Sequence, residues 1–554
     1  ALEQLNANNK LTGITQTGVA QPLSLTAAQI AANDTALTKM VGSYSLAVVN
    51  ALASDVASLS SNSHVASISI SDSATHVQDQ MADLNAATAK VVSVSLSDAH
   101  PSFNLTYSQW GESQAILEKI NNDFTVAVSE VAAAKASVIA ASSFVSSISV
   151  SDTTSHVRSS LDALASVLPK LDTVTLTDAD TAAPMNISMT QYNNDAAVLG
   201  KIVDANYTLN VTAANVNQAQ MLELDDQVVG MTVVDSSQNI ATNLADLTSN
   251  SKLSRITNST PATPMTLDSD LFTSSAATLA KVNSYQAIVQ HATVDLAASL
   301  DENTHIVSFD LSDTSTHISA ALPSLSTLSS KLASIRVTQD DAPITVSQVA
   351  LNDFAGENSL INTLAKVSGD YRLSLTGVSA DNLDLLLPTA SGDSLTLNPG
   401  ASDPFVISLS KIASVAVSDT SANISAVFDS LTAMGSKLDS LTLSDVNAPI
   451  ALASDQFSAA SAVLSRITGG TYHLALVDVL AQDAVSLAAE DHVDTVSVAD
   501  TADNIASNFD ALQAIEGNVA DIEVLDGNDL VLTQAQFDSA LASKVLGATM
   551  VISG

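Results

Sequence analysis

Apolar residues alternate with small polar residues in short runs along the chain, and turn residues and a helical pattern follow these runs. In Ser147-Ile-Ser-Val-Ser-Asp152 the period of two predicts a strand. Asp152-Thr-Thr-Ser155 then supplies turn and N-cap side chains for a helix over 157–168, because Val157, Leu161 and Leu164 share one helical face. Further strands are predicted at 171–178, 185–189 and 206–212, and further helices at about 191–202 and near 217–224.

This pattern is repeated six times, and each copy is anchored by one aspartate. The anchor aspartates are Asp72, Asp152, Asp235, Asp313, Asp419 and Asp500, at steps of 80, 83, 78, 106 and 81 residues. A second pattern, Leu-Thr followed three residues later by Gln, occurs at Leu25-Thr26, Leu105-Thr106 and Leu532-Thr533. Self-similarity at a fixed period is the signature of a repeat architecture.

We therefore predict an α/β fold, an elongated repeat solenoid of parallel strands alternating with short helices. Each period of about 80 residues holds about three strand–helix units, and parallel pairing follows from the helical crossovers. The predicted divisions of this one continuous solenoid are a partial repeat at 1–66, repeats at 67–146, 147–228, 229–306, 307–413 and 414–493, and a partial repeat at 494–554. The long fourth copy carries an insertion near 381–404, which we interpret as a hairpin or loop.

Composition narrows the function classes. The 58 acidic and 19 basic residues give a formal charge of −39, which repels phosphate backbones and argues against nucleic-acid binding. Cysteine is absent, which is compatible with export. No apolar stretch is long enough for a membrane helix, so we predict no membrane insertion. The chain begins at Ala1 without a methionine, which fits either a removed leader or a fragment of a longer protein.

Six of the nine histidines follow the repeat. His64, His305 and His492 lie eight residues before an anchor aspartate, and His76, His156 and His317 lie four residues after one. Asn239, Asn423 and Asn504 replace histidine at the second position in the other copies. A position that accepts His or Asn indicates a turn hydrogen bond rather than catalysis.

The anchor aspartates themselves are predicted to form turns and cap helices. A catalytic carboxylate pair for glycoside hydrolysis is the competing interpretation, but such a pair should break the repeat at one place. Calcium binding is a second alternative, because carboxylates are hard oxygen ligands. The candidate calcium ligands are Asp526, Asp529, Asp340 and Asp341.

An aromatic residue precedes or opens the third strand of each copy. These residues are Tyr44, Phe124, Tyr207, Tyr285, Tyr371 and Tyr472. Their repetition predicts a scaffold role, as an aromatic ladder along one edge of the repeats. No nucleophile elbow, phosphate-binding glycine loop or His-Glu-x-x-His motif is present, so we predict no enzymatic activity.

Three phrases resemble the tandem repeats of very large bacterial surface and secreted proteins, often described as β-strand-repeat or haemolysin-like. They are Val-Ser-Asp-Thr-Ser-Ala-Asn-Ile at 417–424, Leu-Asp-Ser-Leu-Thr-Leu-Ser-Asp at 438–445 and Leu-Thr-Gln-Ala-Gln-Phe at 532–537. That family includes adhesins, surface-layer subunits and fibre proteins. The resemblance implies an extracellular structural subunit of a self-assembling bacterial surface filament or surface layer; the alternatives are a secreted carbohydrate-active solenoid enzyme and the stalk of a large adhesin.

The partners expected from this reasoning are further copies of the chain, in a head-to-tail or lateral homopolymer, together with calcium and cell-surface polysaccharide. Both ends stop within a repeat and show no polar cap. We expect head-to-tail stacking to cover the apolar residues Leu2, Leu5 and Leu11 at one end and Val545 to Ile552 at the other.

Overall fold

A computed structural model describes residues 1–553 except 9, 20, 182, 329, 339–341, 355–358, 389–391, 398 and 400–403. The chain divides into two compact units. One comprises Ala1–Pro261 with Ala277–Ser284, and the other Ala262–Ala276 with Tyr285–Gly554. Both units are α/β, with parallel strands joined by short helices, as the sequence predicts.

Four strands recur in each period, and we name them by their place in it. The anchor strands, which carry the anchor aspartates, are Val65–Asp72, Val145–Asp152, Val228–Asp235, Ile306–Thr314, Ile412–Asp419 and Val493–Asp500. The second strands are Val91–Leu96, Leu171–Leu176, Leu253–Asn258, Leu332–Thr338, Leu438–Leu443 and Val519–Val524. The short strands are Leu23–Leu25, Ser102–Thr106, Met185–Ser188, Met265–Asp268, Ile344–Ser347, Ile450–Ala453 and Leu530–Leu532. The bulged strands are Leu46–Ala51, Thr125–Val131, Leu209–Ala214, Ala287–Ala292, Leu373–Val378 and Leu474–Val479.

The described strands are divided among several small sheets, and the six sheets of four or five strands share the order short, bulged, anchor and second strand. The first unit contains three such four-stranded sheets. In the second unit a two-residue strand extends each of three sheets, at Val367–Ser368, Ile467–Thr468 and Val545–Leu546, and Leu530–Leu532 pairs with Met550–Ile552. Neighbouring strands in all of these sheets are consecutive or nearly so in the chain and parallel, and none of the sheets formed by the described residues closes into a barrel.

Helices make the connections. Those after the anchor strands are Ala74–Asp79 with Met81–Ala86, Thr154–Ser159 with Leu161–Ser166, Ser237–Thr242 with Leu244–Ser249, Ser315–Leu325, Ser421–Ala426 with Phe428–Met434, and Ala502–Ala514. Those after the short strands are Ala27–Ala32 with Asp34–Leu37, Tyr107–Leu117, Met189–Asn194 with Ala196–Leu199, Ser269–Ser274 with Ala276–Leu279, Ser359–Leu364, Ser454–Ala459 with Ser461–Leu464, and Gln534–Phe537. The α-helices after the bulged strands are Val56–Ser61, Ala136–Ala140, Val216–Glu223, Ala297–Glu302 and Ala484–Ala488, and Leu2–Asn6 opens the chain. The 3-10 helices are Ala53–Asp55, Ala133–Lys135, Val294–Leu296, Val349–Phe354, Ala380–Leu386, Leu409–Lys411, Gly435–Lys437 and Leu541–Lys544.

The core of each repeat lies between strand and helix. Ile148 of an anchor strand and Val157 and Leu164 of the following helices have no exposed surface. The predicted single helix at 157–168 starts earlier and is two helices, because Ser160 leaves helical geometry with a φ of −111°. Thr153 caps it by accepting a hydrogen bond from the His156 N–H. Burial of these aliphatic side chains is the main stabilising term.

The Leu-Thr pattern marks capping boxes. Thr26 and Gln29 exchange side-chain and backbone hydrogen bonds at the start of Ala27–Ala32, and Thr106 with Gln109 does the same at Tyr107–Leu117. Two orphan helical N–H groups are satisfied in each box. The motif therefore fixes where the helix after the short strand begins.

The long fourth copy contains the one antiparallel pair among the described strands. Ser394–Leu397 pairs with Phe405–Ser408. Leu395, Leu397 and Ile407 are buried, so the pair packs its apolar side inward. This segment falls within and beside the insertion expected near 381–404.

The bulged strands share a backbone feature that the sequence pattern did not predict. The residue before the last one in each has a positive φ, and the pairing register shifts at that point. The six positions are Asn50, Glu130, Ala213, His291, Gly377 and Asp478. A left-handed conformation costs L-residues about 1–2 kcal/mol, and asparagine, aspartate and glycine tolerate it best. Ala213 and Glu130 therefore store backbone strain.

We predict that Ala213→Gly raises the free energy of unfolding by about 0.5–1 kcal/mol, because glycine adopts a φ of 62° without a Cβ penalty. The reverse change, Gly377→Ala, should lower it by about 1 kcal/mol, since only the φ of 65° opposes the new Cβ and no atom lies within 4 Å of it. Denaturant titration measures both. If both substitutions change the free energy of unfolding in the same direction, backbone strain at Ala213 is contradicted.

Candidate functional site

Each anchor aspartate sits at a junction between three chain segments. Asp152 Oδ2 accepts a hydrogen bond from the Ala133 N–H at 3.0 Å, while Oδ1 accepts from the Thr153 N–H at 2.8 Å and from His156 Nδ1 at 2.7 Å. The other five junctions repeat this arrangement, with Ala53, Val216, Val294, Ala380 and Ala481 as the distant N–H donors. Where asparagine replaces histidine, its Nδ2 donates instead, as at Asn239, Asn423 and Asn504. The anchor aspartates hold the turn, as predicted, but the side chain that caps the following helix belongs to the next residue, such as Thr153.

The junction holds its carboxylate in the charged form. Burial would raise the pKa of Asp152, but the hydrogen bonds from His156, Thr153 and Ala133 outweigh it, so the pKa lies below its ordinary 3.8. The pKa values of Asp72, Asp313 and Asp419 are lowered against burial in the same way. Hydrogen bonds to an anion favour its ionised form.

A second set of carboxylates holds the other side of the same turn. Asp178 Oδ1 accepts from the Thr154 N–H at 2.7 Å and from the Thr154 hydroxyl at 2.8 Å. Asp98 and Asp445 accept from the equivalent N–H groups of Ala74 and Ser421. Two carboxylates therefore support the start of each of these helices.

Asp526 belongs to this second set. It accepts from the Ala502 N–H at 3.2 Å, and from the Asn528 N–H and Nδ2. Its pKa is lowered although desolvation opposes the shift, because these donors stabilise the anion. Its repeat equivalents indicate a capping role that the linear sequence, which suggested calcium, did not reveal.

The remaining calcium candidates are less defined. Asp529 is exposed, and Asp340 and Asp341 lie outside the described residues. Within the part of the chain that the structure describes, no group of three or more His, Asp or Glu is placed to hold a metal ion. Calcium binding at these aspartates stays a prediction.

The aromatic positions pair with the histidine positions. Tyr44 stacks on His64 with ring centroids 4.0 Å apart, and Tyr285 stacks on His305 at 4.2 Å. In each of these pairs the histidine Nδ1 also contacts the tyrosine carbonyl oxygen, at 3.3 Å for His64 and 3.1 Å for His305. Tyr472 and His492 form a third such pair.

Other residues replace histidine in this pair without loss of the contact. Phe124 stacks on Phe144 at 4.6 Å, and Lys411 places its Nζ 3.8 Å over the ring of Tyr371. The aromatic residues therefore contact the following connection, and no ring contact between described residues joins one of them to its equivalent in the next copy. The scaffold role agrees with this geometry, but the expected ladder of aromatic on aromatic does not.

Two of the isolated histidines also meet carboxylates. His291 Nδ1 lies 3.1 Å from Asp268, and His473 Nδ1 lies 2.8 Å from Asp494. All four side chains are partly or largely exposed. Ser269 Oγ donates to the His291 carbonyl, and the His291 N–H donates to Asp310 Oδ1, so both of these groups bind the backbone of His291 and not its ring.

Sequence reasoning missed the lysines. The Nζ of Lys170 donates to the carbonyls of Ala140, at 2.6 Å, and Ser142, at 3.0 Å, where a preceding helix ends. Eight other lysines donate to carbonyls 25 to 34 residues earlier: Lys90, Lys119, Lys252, Lys281, Lys331, Lys366, Lys437 and Lys544. A cation at a helix C-terminus satisfies orphan carbonyls and the helix dipole. The signal in the sequence was lysine recurring just before five of the second strands, at Lys90, Lys170, Lys252, Lys331 and Lys437.

This use of lysine leaves the acidic surface uncompensated. Five ion pairs join described residues, and each is between a histidine and an aspartate. No lysine or arginine forms an ion pair with a carboxylate within that set. The lysines described above therefore bring little positive charge to the acidic side chains of a chain whose formal charge is −39.

Comparison of the chain with protein-family models, with curated proteins and with solved structures gave no match. No helix of the described residues is long and apolar enough to cross a membrane.

We predict that Asp152→Asn lowers the free energy of unfolding by about 1–3 kcal/mol above pH 5, because a neutral amide replaces a partly buried, charged acceptor. Since the folded pKa of Asp152 is depressed, its contribution is complete above the ordinary value of 3.8 and is lost as the pH falls through the folded pKa. The difference in free energy of unfolding between variant and wild type should therefore shrink below about pH 3.8. Denaturant titrations between pH 2 and 7 measure it.

The matched control is Asp172→Asn, at an exposed position on the adjacent second strand. It should change stability by less than about 0.5 kcal/mol. If the loss of unfolding free energy in Asp152→Asn stays constant down to pH 2, the prediction that Asp152 is ionised in the folded protein is wrong.

We predict that Lys170→Met destabilises the protein by about 1–3 kcal/mol, because two helix-terminal carbonyls lose a charged donor while the aliphatic stem is kept. Lys135→Met serves as the control, since Lys135 is exposed and has no recorded partner. Thermal unfolding of the two variants distinguishes them. Equal effects would show that Lys170 acts only through net charge.

Proposed function

We propose that the chain is an extracellular structural protein, a subunit of a self-assembling bacterial surface filament or surface layer. The observation that carries this proposal is the engagement of the recurring polar side chains in backbone hydrogen bonds. All six anchor aspartates and nine lysines serve the scaffold. A catalytic carboxylate pair needs a unique place in the repeat, and these carboxylates recur in every copy.

The elongated solenoid is part of this proposal. The six sheets of four or five strands share one strand order, and the same junction recurs at each anchor strand. Units that repeat in this way bury a continuous core by stacking on their neighbours. The resemblance of the repeat phrases to giant bacterial surface proteins supports the same architecture.

Calcium is the proposed assembly cofactor. Copies of charge −39 repel one another when they pack side by side, and the lysines that could have offset the repulsion donate to carbonyls instead. A divalent cation can bridge carboxylates of two copies, whereas a monovalent cation only screens them. Self-association, in a head-to-tail or lateral polymer, thereby depends on the divalent cations in the medium. Cell-surface polysaccharide is a further proposed partner.

Negative-stain electron microscopy of the purified chain tests the proposal. With millimolar calcium we expect ordered fibres or sheets, and with a chelator at constant ionic strength we expect them to loosen. Magnesium and additional sodium chloride are the control conditions. Isolated particles under every condition would favour an adhesin stalk, and hydrolysis of a polysaccharide panel would favour the carbohydrate-active alternative; either result would contradict the structural-subunit assignment.

A further inference from the structure

Asp195 is a buried carboxylate without a hydrogen-bond donor. It precedes the helix Ala196–Leu199 and is only 2% exposed. Its backbone is fully used, since the N–H donates to the Gln191 carbonyl and the carbonyl accepts from the Val198 N–H. Its side chain makes no capping bond, and Oδ2 is a buried atom with no partner. A buried anion in this state is strongly disfavoured.

The ionisable group that acts on Asp195 is another carboxylate. Asp162 lies on the helix Leu161–Ser166, which packs against Ala196–Leu199, and its charge contributes to the raised pKa of Asp195. The helix Met189–Asn194, also packed there, contributes Tyr192, whose hydroxyl donates to Asp225. Ala196–Leu199 itself has no ionisable side chain. No ion pair between described residues brings a cation to Asp162 or Asp195.

Other copies of the repeat hold neutral residues at this position. They are Asn33, Ser113, Ser275, Ala460 and Ala540. Asn33 is also buried, and its Nδ2 donates to the Gln29 carbonyl at 2.6 Å, which is the equivalent of Gln191. Ser113 accepts from Asn85 Nδ2. The carboxylate of Asp195 is thus a local departure from a position that the fold fills without charge.

We infer that Asp162 and Asp195 form a proton-sharing carboxyl pair, which makes the docking of the helix Ala196–Leu199 tighter in mild acid than at neutral pH. In the protonated form the Asp195 hydroxyl donates to the Asp162 carboxylate, and the pair carries one negative charge. When the shared proton leaves, two like charges face each other and one of them is buried. The helix then loses packing until Asp195 reaches water.

The direction of the pH effect follows from linkage. Burial, and next the charge of Asp162, raise the pKa of Asp195 above 3.8. The folded state therefore binds a proton that the unfolded state has already lost, and stability falls as the pH rises from 3.8 through the folded value. The pKa values of Asp72, Asp152, Asp313 and Asp419 are lowered instead, so these four act in the opposite direction and below 3.8, and the two effects are separable by pH.

Hydrogen exchange of the intact chain, read by mass spectrometry on peptides, tests the inference. The peptide 189–203 is compared with 27–41, which contains Asn33, after correction for intrinsic exchange rates at each pH. Between pH 4 and 8 we expect protection of 189–203 to fall relative to 27–41, by up to about tenfold for each unit by which the Asp195 pKa is raised. A constant ratio of the two peptides would overturn the inference.

Two variants identify the pair. Asp195→Asn should abolish the pH dependence and protect 189–203 more than wild type at pH 8, because the amide can donate to Gln191 as Asn33 does to Gln29. Asp162→Asn should reduce the dependence, since its amide can donate to an ionised Asp195. An Asp195→Asn variant in which protection of 189–203 still falls with pH as in wild type would overturn the inference. An Asp162→Asn variant with the full wild-type pH dependence would also overturn it, because Asp195 would then titrate without a partner carboxyl.

Discussion

The hydrogen bond from a backbone N–H to the anchor carboxylate of the following strand is the interaction on which the structure depends. It joins residues 19 positions apart in five copies, such as Ala133 and Asp152, and so closes the connection between a bulged strand and an anchor strand. The N–H lies at the start of a short helix, where no intrahelical acceptor exists. A charged acceptor satisfies it more strongly than water or a neutral group does. The same carboxylate also accepts a hydrogen bond from the N–H of the next residue, Thr153 in the case of Asp152, and so fixes the turn that follows the anchor strand.

The long fourth copy shows how strictly this bond is kept. Ala380 donates to Asp419 at 2.8 Å although 39 positions separate the two residues. The additional chain includes an antiparallel pair of strands that buries its own apolar side chains. An insertion is tolerated when it leaves and rejoins the repeat at the same junction, because the closure entropy of a loop grows only slowly with its length.

Carboxylates in this protein occupy opposite environments. At Asp72 and Asp152 three donors converge on one side chain, and their lowered pKa values show that the ionised form is favoured despite burial. At Asp195 the buried Oδ2 has no donor among the described residues, and burial together with the charge of Asp162 raises the pKa, so the neutral form is favoured. The amines of the described lysines donate instead to backbone carbonyls, at helix ends for Lys170 and Lys252 and at the start of a second strand for Lys281.

The sequence by itself determined the features that depend on near neighbours and on repetition. Alternation predicted the strands, crossovers predicted parallel pairing, and the exchange of His156 for Asn239 at one repeat position predicted a hydrogen-bonding role. Interactions across adjacent strands were decided only by tertiary structure, because they depend on the register that brings residues 20 to 34 positions apart together. The lysine caps, the stacking of Tyr285 on His305 and the burial of Asp195 beside Asp162 belong to this group. The left-handed residue at Ala213 does too, since the pairing register of its strand imposes a conformation that alanine alone disfavours.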